Sequence, residues 1–179
     1  MKRIYLVRHC KAEGQEQTAK LTTEGVAQSH QLADFLDKRD IDYIVTSPFV
    51  RAIETIIPFC NRIGMDYSVD NRLEERVLSS KSLDNWMQFL KESYENLDLV
   101  FEGGESSREA MIRGMEVIHE VINGPYHNTV VVTHGALMSL VLKYFDSSIG
   151  YAEWSKLTNP DIYVISYDYQ RVEVERIWN

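Results

Sequence analysis

Thr129-Val130-Val131-Val132-Thr133-His134-Gly135 decides the reading of the fold. An unbroken run of β-branched residues suits a strand buried on both faces, and such strands belong to parallel sheets covered by helices. The run stops abruptly at His134-Gly135, and an apolar helical pattern follows from Ala136 to Phe145. Two other stretches repeat the arrangement. Ile4-Tyr5-Leu6-Val7 is apolar throughout and ends in Arg8-His9-Cys10-Lys11. Asp42-Tyr43-Ile44-Val45-Thr46 is a second short strand, followed by Ser47-Pro48. Ser at the cap with Pro in the first turn predicts a helix from about Phe49 to Ile63, stopping near Gly64, with Pro58 inside it. Strands alternating with helices indicate an α/β fold: a three-layer sandwich with a mostly parallel central sheet flanked by helices.

Further out, Thr22-Thr23-Glu24-Gly25 opens a helix with Val26, Leu32, Ala33, Phe35 and Leu36 on one face. Residues 66–69 suit a short strand. Between Ser82 and Leu97 a stripe of Leu83, Trp86, Met87, Leu90 and Tyr94 predicts a small helical cap near residues 76–104, closed by Gly103-Gly104. The stripe reads as core or cap packing, and its place makes it a wall of any pocket there. A helix from Ser106 carries Met111, Met115, Ile118, Val121 and Ile122, and Asn123-Gly124-Pro125 ends it. Ile162–Tyr167 and Val172–Trp178 form a closing hairpin. Residues 1–179 are expected to make one domain.

Composition narrows the function. The chain has 19 Lys+Arg against 27 Asp+Glu, a net charge of −8. Such a chain lacks the basic surface that nucleic acid or an anionic membrane needs. An anionic ligand must therefore be attracted by a local cluster of cations. Cys10 and Cys60 are the only cysteines, too few for a disulfide framework, and no spacing suggests a metal site or a cofactor. With no apolar run long enough for a transmembrane helix or a signal segment, a cytoplasmic location is expected.

In open α/β sheets, ligands bind beyond the carboxyl ends of the strands. Arg8-His9, Ser47 to Arg51 and His134 each lie just past a predicted strand end. If these strands are parallel neighbours, two histidines and two arginines converge on one edge. Guanidinium forks match phosphate oxygens, and helix N-termini after residues 47 and 134 add N–H donors. The site favours a phosphoryl group, and one histidine can attack it. Imidazole is nucleophilic when neutral, nearby cations lower its pKa, and a carbonyl on its second nitrogen fixes the tautomer. A leaving alkoxide needs a proton. Arg72-Leu73-Glu74-Glu75-Arg76 offers two carboxyls, either of which can be the general acid. His30, His119 and His127 have no motif around them and read as surface or packing residues, and Cys60 as a small buried apolar one.

Leu6-Val7-Arg8-His9, Leu21-Thr22 with Gly25, Thr46-Ser47-Pro48 with Arg51, Ala52 and Thr55, Leu73-Glu74-Glu75, Gly104-Glu105-Ser106, and Val132-Thr133-His134-Gly135 occur in this order. Together, over roughly residues 2–140, they resemble the histidine phosphatase superfamily, also called the phosphoglycerate mutase-like family. The resemblance implies a phosphohistidine at His9, with Arg8, Arg51 and His134 binding the transferred phosphate. The family's Leu-x-Glu segment selects Glu75 over Glu74 as the acid. A polar amide usually stands six positions after the nucleophile, a place held here by Gln15, which is thereby expected to reach the phosphate. One departure stands out. The family usually follows Arg-His with Gly, and Cys10 in its place implies a reshaped pocket or an oxidisable site.

The resemblance leaves two reactions open. A mutase retains the phosphoenzyme and returns the group to a sugar acid; a phosphatase lets water take it. The stretch between Glu75 and Gly104 is short and leaves water an easy path, so a phosphomonoesterase acting on small phosphorylated molecules is expected. Phosphoglycerate mutase-type transfer and a catalytically silent phosphate-binding module are the alternatives.

Overall fold

The computed structural model describes residues 1–178, and Asn179 of the expected domain lies outside the described residues. Lys2–Arg8 (β1) buries both of its faces. Ile4 and Leu6 pack into one core with Val131, Ile118 and Leu137, while Tyr5 and Val7 pack into a second with Val130, Leu32 and Ile56. Alternating side chains thus glue a layer to each side of the strand. The other strands are Tyr43–Thr46 (β2), Ser68–Val69 (β3), Asn128–Thr133 (β4), Asp161–Asp168 (β5) and Arg171–Arg176 (β6). They form one sheet in the order β3-β2-β4-β1-β5-β6. The β3–β2, β2–β4 and β4–β1 pairs are parallel, and the closing hairpin adds antiparallel β5 and β6. The sheet is therefore mixed but mostly parallel, as expected.

Thr23–Leu36 (α1) and Val50–Ile63 (α2) cover one face; Ser107–Asn123 (α4) and Gly135–Phe145 (α5) cover the other. Trp86–Glu95 (α3) and the short Tyr151–Trp154 (α6) lie at the rim beside α5. Ser106 and Glu109 close a capping box at the start of α4. No helix among the described residues is long and apolar enough to cross a membrane.

Three local expectations change. First, α2 begins at Val50 with Phe49 as its cap residue, so Ser47 is not the N-cap. Its hydroxyl accepts from the Phe49 N–H at 3.3 Å and lies 2.7 Å from His134 Nε2. The helix continues through Pro58. Second, the buried face of α1 is Gly25, Ser29, Leu32, Ala33 and Leu36, and Val26 is exposed. Gly25 is needed because a Cβ there would stand 2.0 Å from the Lys11 carbonyl. Third, α3 is shorter than its stripe. Leu90 and Tyr94 are buried, but Trp86 and Met87 are 48% and 54% exposed. A rim helix has only one side over the core, so the start of the stripe faces solvent.

Register fixes the business end of the sheet. Arg8 stands opposite Thr133, and Thr46 opposite Val132. The carboxyl ends of β1, β4 and β2 therefore finish side by side at one edge.

Candidate active site

His9 and His134 follow the ends of adjacent parallel strands, and the His9 N–H donates to the Thr133 carbonyl at 3.0 Å. Their rings meet edge-on with centroids 5.1 Å apart. Nδ1 of His9 is 2.7 Å from the Cys10 carbonyl oxygen, so it must carry the proton. The lone pair is then on Nε2, which accepts from Arg51 Nε at 3.2 Å. Arg51 is 1% exposed and is held by the carbonyls of Gln15 and Glu16 at 3.1 and 2.8 Å. Burial pushes the His9 imidazole down to about 3, with Arg51 and Arg8 also opposing its charge against the pull of the Cys10 carbonyl. His134 is likewise held well below its ordinary value, chiefly by burial and then by His9 and Arg51. Both rings are neutral at pH 7.

Arg8 donates through Nη1 to the carbonyls of Leu157 and Thr158. Its guanidinium lies against Gly135, where a Cβ would stand 3.0 Å from Arg8 Nε. That contact explains a glycine after His134. Arg8 Nε and His134 Nδ1 are buried and have no hydrogen-bond partner. Two such nitrogens at one strand edge call for an acceptor.

Glu75 completes the cluster. Its Oε1 accepts from the backbone N–H groups of Arg76 and Leu137 at 2.8 and 3.0 Å, and Oε2 from Ala136 N–H at 3.1 Å. It is thereby docked on the N-terminal turn of α5, next to His134. Thr133 Oγ1 donates to the Leu73 carbonyl at 2.8 Å, and Arg113 Nη1 reaches the Arg72 and Glu74 carbonyls. These bonds tie the acidic segment to the end of β4. Arg8, Glu75 and exposed Gln15 line one cleft of about 590 Å³. The bond recorded between Gln15 and Arg51 is made by the Gln15 main chain.

The family model for the histidine phosphatase superfamily (branch 1) matches residues 4–179. The chain belongs to this superfamily. A curated relative from Hydrogenobacter thermophilus, named "Putative phosphoserine phosphatase 2", is 27% identical over 158 residues, covering 79% of this chain and 77% of the relative. Among solved structures, YhfR of Bacillus stearothermophilus superposes with a TM-score of 0.81 at 21% identity, covering 98% of this chain and 96% of that one. A mycobacterial glucosyl-3-phosphoglycerate phosphatase superposes with a TM-score of 0.77 at 23% identity, covering 99% and 98%. These structural likenesses establish the histidine phosphatase fold.

Within that fold, the surroundings of Cys10 speak against an oxidisable site. It is 0% exposed, its N–H donates to Thr55 Oγ1 at 2.9 Å, and burial pushes its thiol up to about 12. A thiol held protonated in the interior is a poor target for oxidation. Sequence reasoning missed three supports. Ser47 Oγ is 2.7 Å from His134 Nε2; a Ser47 hydroxyl donating there leaves the proton of His134 on Nδ1, the unpartnered atom. Asn159 Nδ2 donates to the His9 carbonyl at 2.8 Å. Arg76 is 6% exposed and donates to Ser93 Oγ and the Glu105 carbonyl, holding α3 and the Gly-Gly turn against the cleft. His30, His119 and His127 are exposed, and Cys60 is buried in a core.

The two neutral imidazoles make stability depend on pH. In the unfolded chain each takes up a proton below about 6.5, while the folded His9 does so only near 3. The unfolded state binds more protons in that window, so stability falls as pH drops. His9 is expected to remove roughly 1–2 kcal/mol between pH 6.5 and pH 5, and His134 acts in the same direction. Urea unfolding at the two pH values measures it, and His134→Asn should flatten the slope. A wild-type midpoint unchanged over this range would show that the rings protonate in the folded protein.

Proposed function

We propose that the chain is a histidine-dependent phosphomonoesterase that hydrolyses phosphate monoesters of small molecules through a phosphohistidine at His9. The observation that carries this reading is the His9 ring. Its proton is tied to the Cys10 carbonyl, and its lone pair faces Arg51 in a cluster that also contains Arg8 and His134. A phosphoryl oxygen that takes over the Arg51 N–H frees the lone pair for attack. Arg8 Nε and His134 Nδ1 gain their missing acceptor in the same group. Donors fixed before the reaction begins stabilise the charge that builds on the phosphoryl oxygens.

Two steps follow. His9 Nε2 forms the N–P bond as the ester P–O bond breaks, and Glu75 gives its proton to the departing oxygen. Glu75, now ionised, takes a proton from water as the water oxygen attacks phosphorus. The N–P bond breaks, and phosphate leaves. Glu75 Oε2 has a single N–H partner and keeps room for the proton. Gln15 stands at the rim as a further candidate contact. The cleft beside Arg8 and Glu75 has a cap that carries only the ten-residue α3, which favours hydrolysis over mutase transfer. Two unpaired buried thiols fit a reducing, cytoplasmic setting.

The test is phosphate release from a panel of phosphorylated metabolites. Vanadate should inhibit, and EDTA should leave the rate intact, because two guanidinium groups meet the phosphoryl charge. 3-Phosphoglycerate with a bisphosphoglycerate primer should give no 2-phosphoglycerate; conversion to it would establish a mutase. Raising the pH from 5 to 9 should not activate the enzyme, because burial already holds His9 neutral at pH 5. A rate climbing steadily to pH 9 would overturn that assignment.

A further inference from the structure

The cleft has two kinds of lining. Arg8 and Glu75 belong to the phosphate cluster, while Leu78, Leu90, Trp86 and Trp154 are apolar. Trp86 opens α3 and Trp154 ends α6, yet their rings meet at 89° with centroids 6.3 Å apart. They form an aromatic corner. A flat ring laid on one indole face meets the edge of the other, which is the arrangement ring quadrupoles favour. Trp86 stays 48% exposed, so its surface is not absorbed by the core. The further cation on this lining, Arg76, has Nε, Nη1 and Nη2 all donating to Glu105 O and Ser93 Oγ. A carboxylate on the substrate's alcohol would meet that engaged cation and the Glu75 carboxyl.

We propose that the alcohol half of the substrate carries a planar ring and no second anionic group, and that Trp86 and Trp154 seat the ring. This rests on the phosphomonoesterase reading above. A cleft of about 590 Å³ that borders the cluster at Arg8 and Glu75 has room for a ring-bearing alcohol.

3-Phenylpropyl phosphate and propyl phosphate lose the same kind of primary alkoxide, so their ratio reads the ring alone. The wild type is expected to favour the phenyl ester about tenfold in kcat/KM, mostly through KM. In Trp86→Ala and Trp154→Ala the ratio should fall toward one, and Trp86→Leu and Trp154→Leu serve if the alanine variants do not fold. The matching phosphonates, which have no ester bond to cleave, should show the same ratio in Kd by calorimetry. A wild-type ratio near one, a ratio unchanged in both variants, or faster turnover of O-phosphoserine than of the phenyl ester would overturn the ring seat. A chain that cleaves no ester but still prefers the phenyl phosphonate loses the reaction and keeps the seat. One that cleaves both esters equally keeps the reaction and loses the seat.

Discussion

His9→Ala is expected to lower phosphomonoesterase turnover by on the order of 10⁴-fold or more, because no other side chain in the cluster can take its place as nucleophile. Arg8, Arg51 and Glu75 are poor or misplaced nucleophiles. His134 has its Nε2 lone pair committed to the Ser47 hydroxyl. Loss of activity alone would not separate chemistry from collapse of the site. Two further readouts do. Phosphate should still raise the thermal midpoint of the variant, because Arg8, Arg51 and His134 remain to bind it. Rapid quenching of the wild type with labelled substrate should trap an acid-labile, base-stable label, and peptide mapping should find it on His9. Label on another side chain, or near-normal turnover by the variant, would remove the phosphohistidine from the mechanism.

How much of this could be read without coordinates depends on which link of the argument a residue serves. The strands β1, β2 and β4 were legible because each is a short apolar run that ends in a polar break, and a strand buried on both faces leaves that trace in any chain. Their ends converge because the pairing is parallel, and the rule for ligands in open sheets then brings Arg8, His9, Arg51 and His134 to one edge. The supports were harder. Ser47-Pro48 has the local grammar of a helix cap, but the Ser47 hydroxyl accepts from the Phe49 N–H two residues on and turns its own proton to His134, so the helix starts later. Nothing near Asn159 hints that it will reach back 150 positions to the His9 carbonyl. Arg76 sits in a run of charges that reads as solvated surface. It is buried because the Glu105 carbonyl and Ser93 arrive from distant segments to satisfy it. Trp86 errs the other way: helical spacing predicts packing, and the helix begins at the rim of a cleft. Local periodicity reports which face a residue occupies, not whether anything stands opposite that face.

Glu75→Gln is expected to divide substrates by their leaving groups. An amide has no proton to give, so an alkyl ester loses the help that drives out its alkoxide, and its first step should slow by about 10²–10⁴-fold. p-Nitrophenolate leaves without a proton, so with p-nitrophenyl phosphate the first step should slow by less than about tenfold. The second step is different, because water must be deprotonated whichever alcohol has gone. The variant should therefore release one equivalent of p-nitrophenolate per active site in a burst and then turn over slowly, while the alkyl ester shows no burst. The amide also disturbs three backbone contacts that Glu75 makes with Arg76, Ala136 and Leu137, so some loss will come from position alone. A positional loss is blind to the leaving group: it would slow the first step of both esters alike and abolish the burst. Equal slowing in the pre-steady state would therefore demote Glu75 from proton donor to a brace for α5, and the neighbouring Glu74, whose carbonyl rather than carboxyl is used by Arg113, would be the next carboxyl to replace.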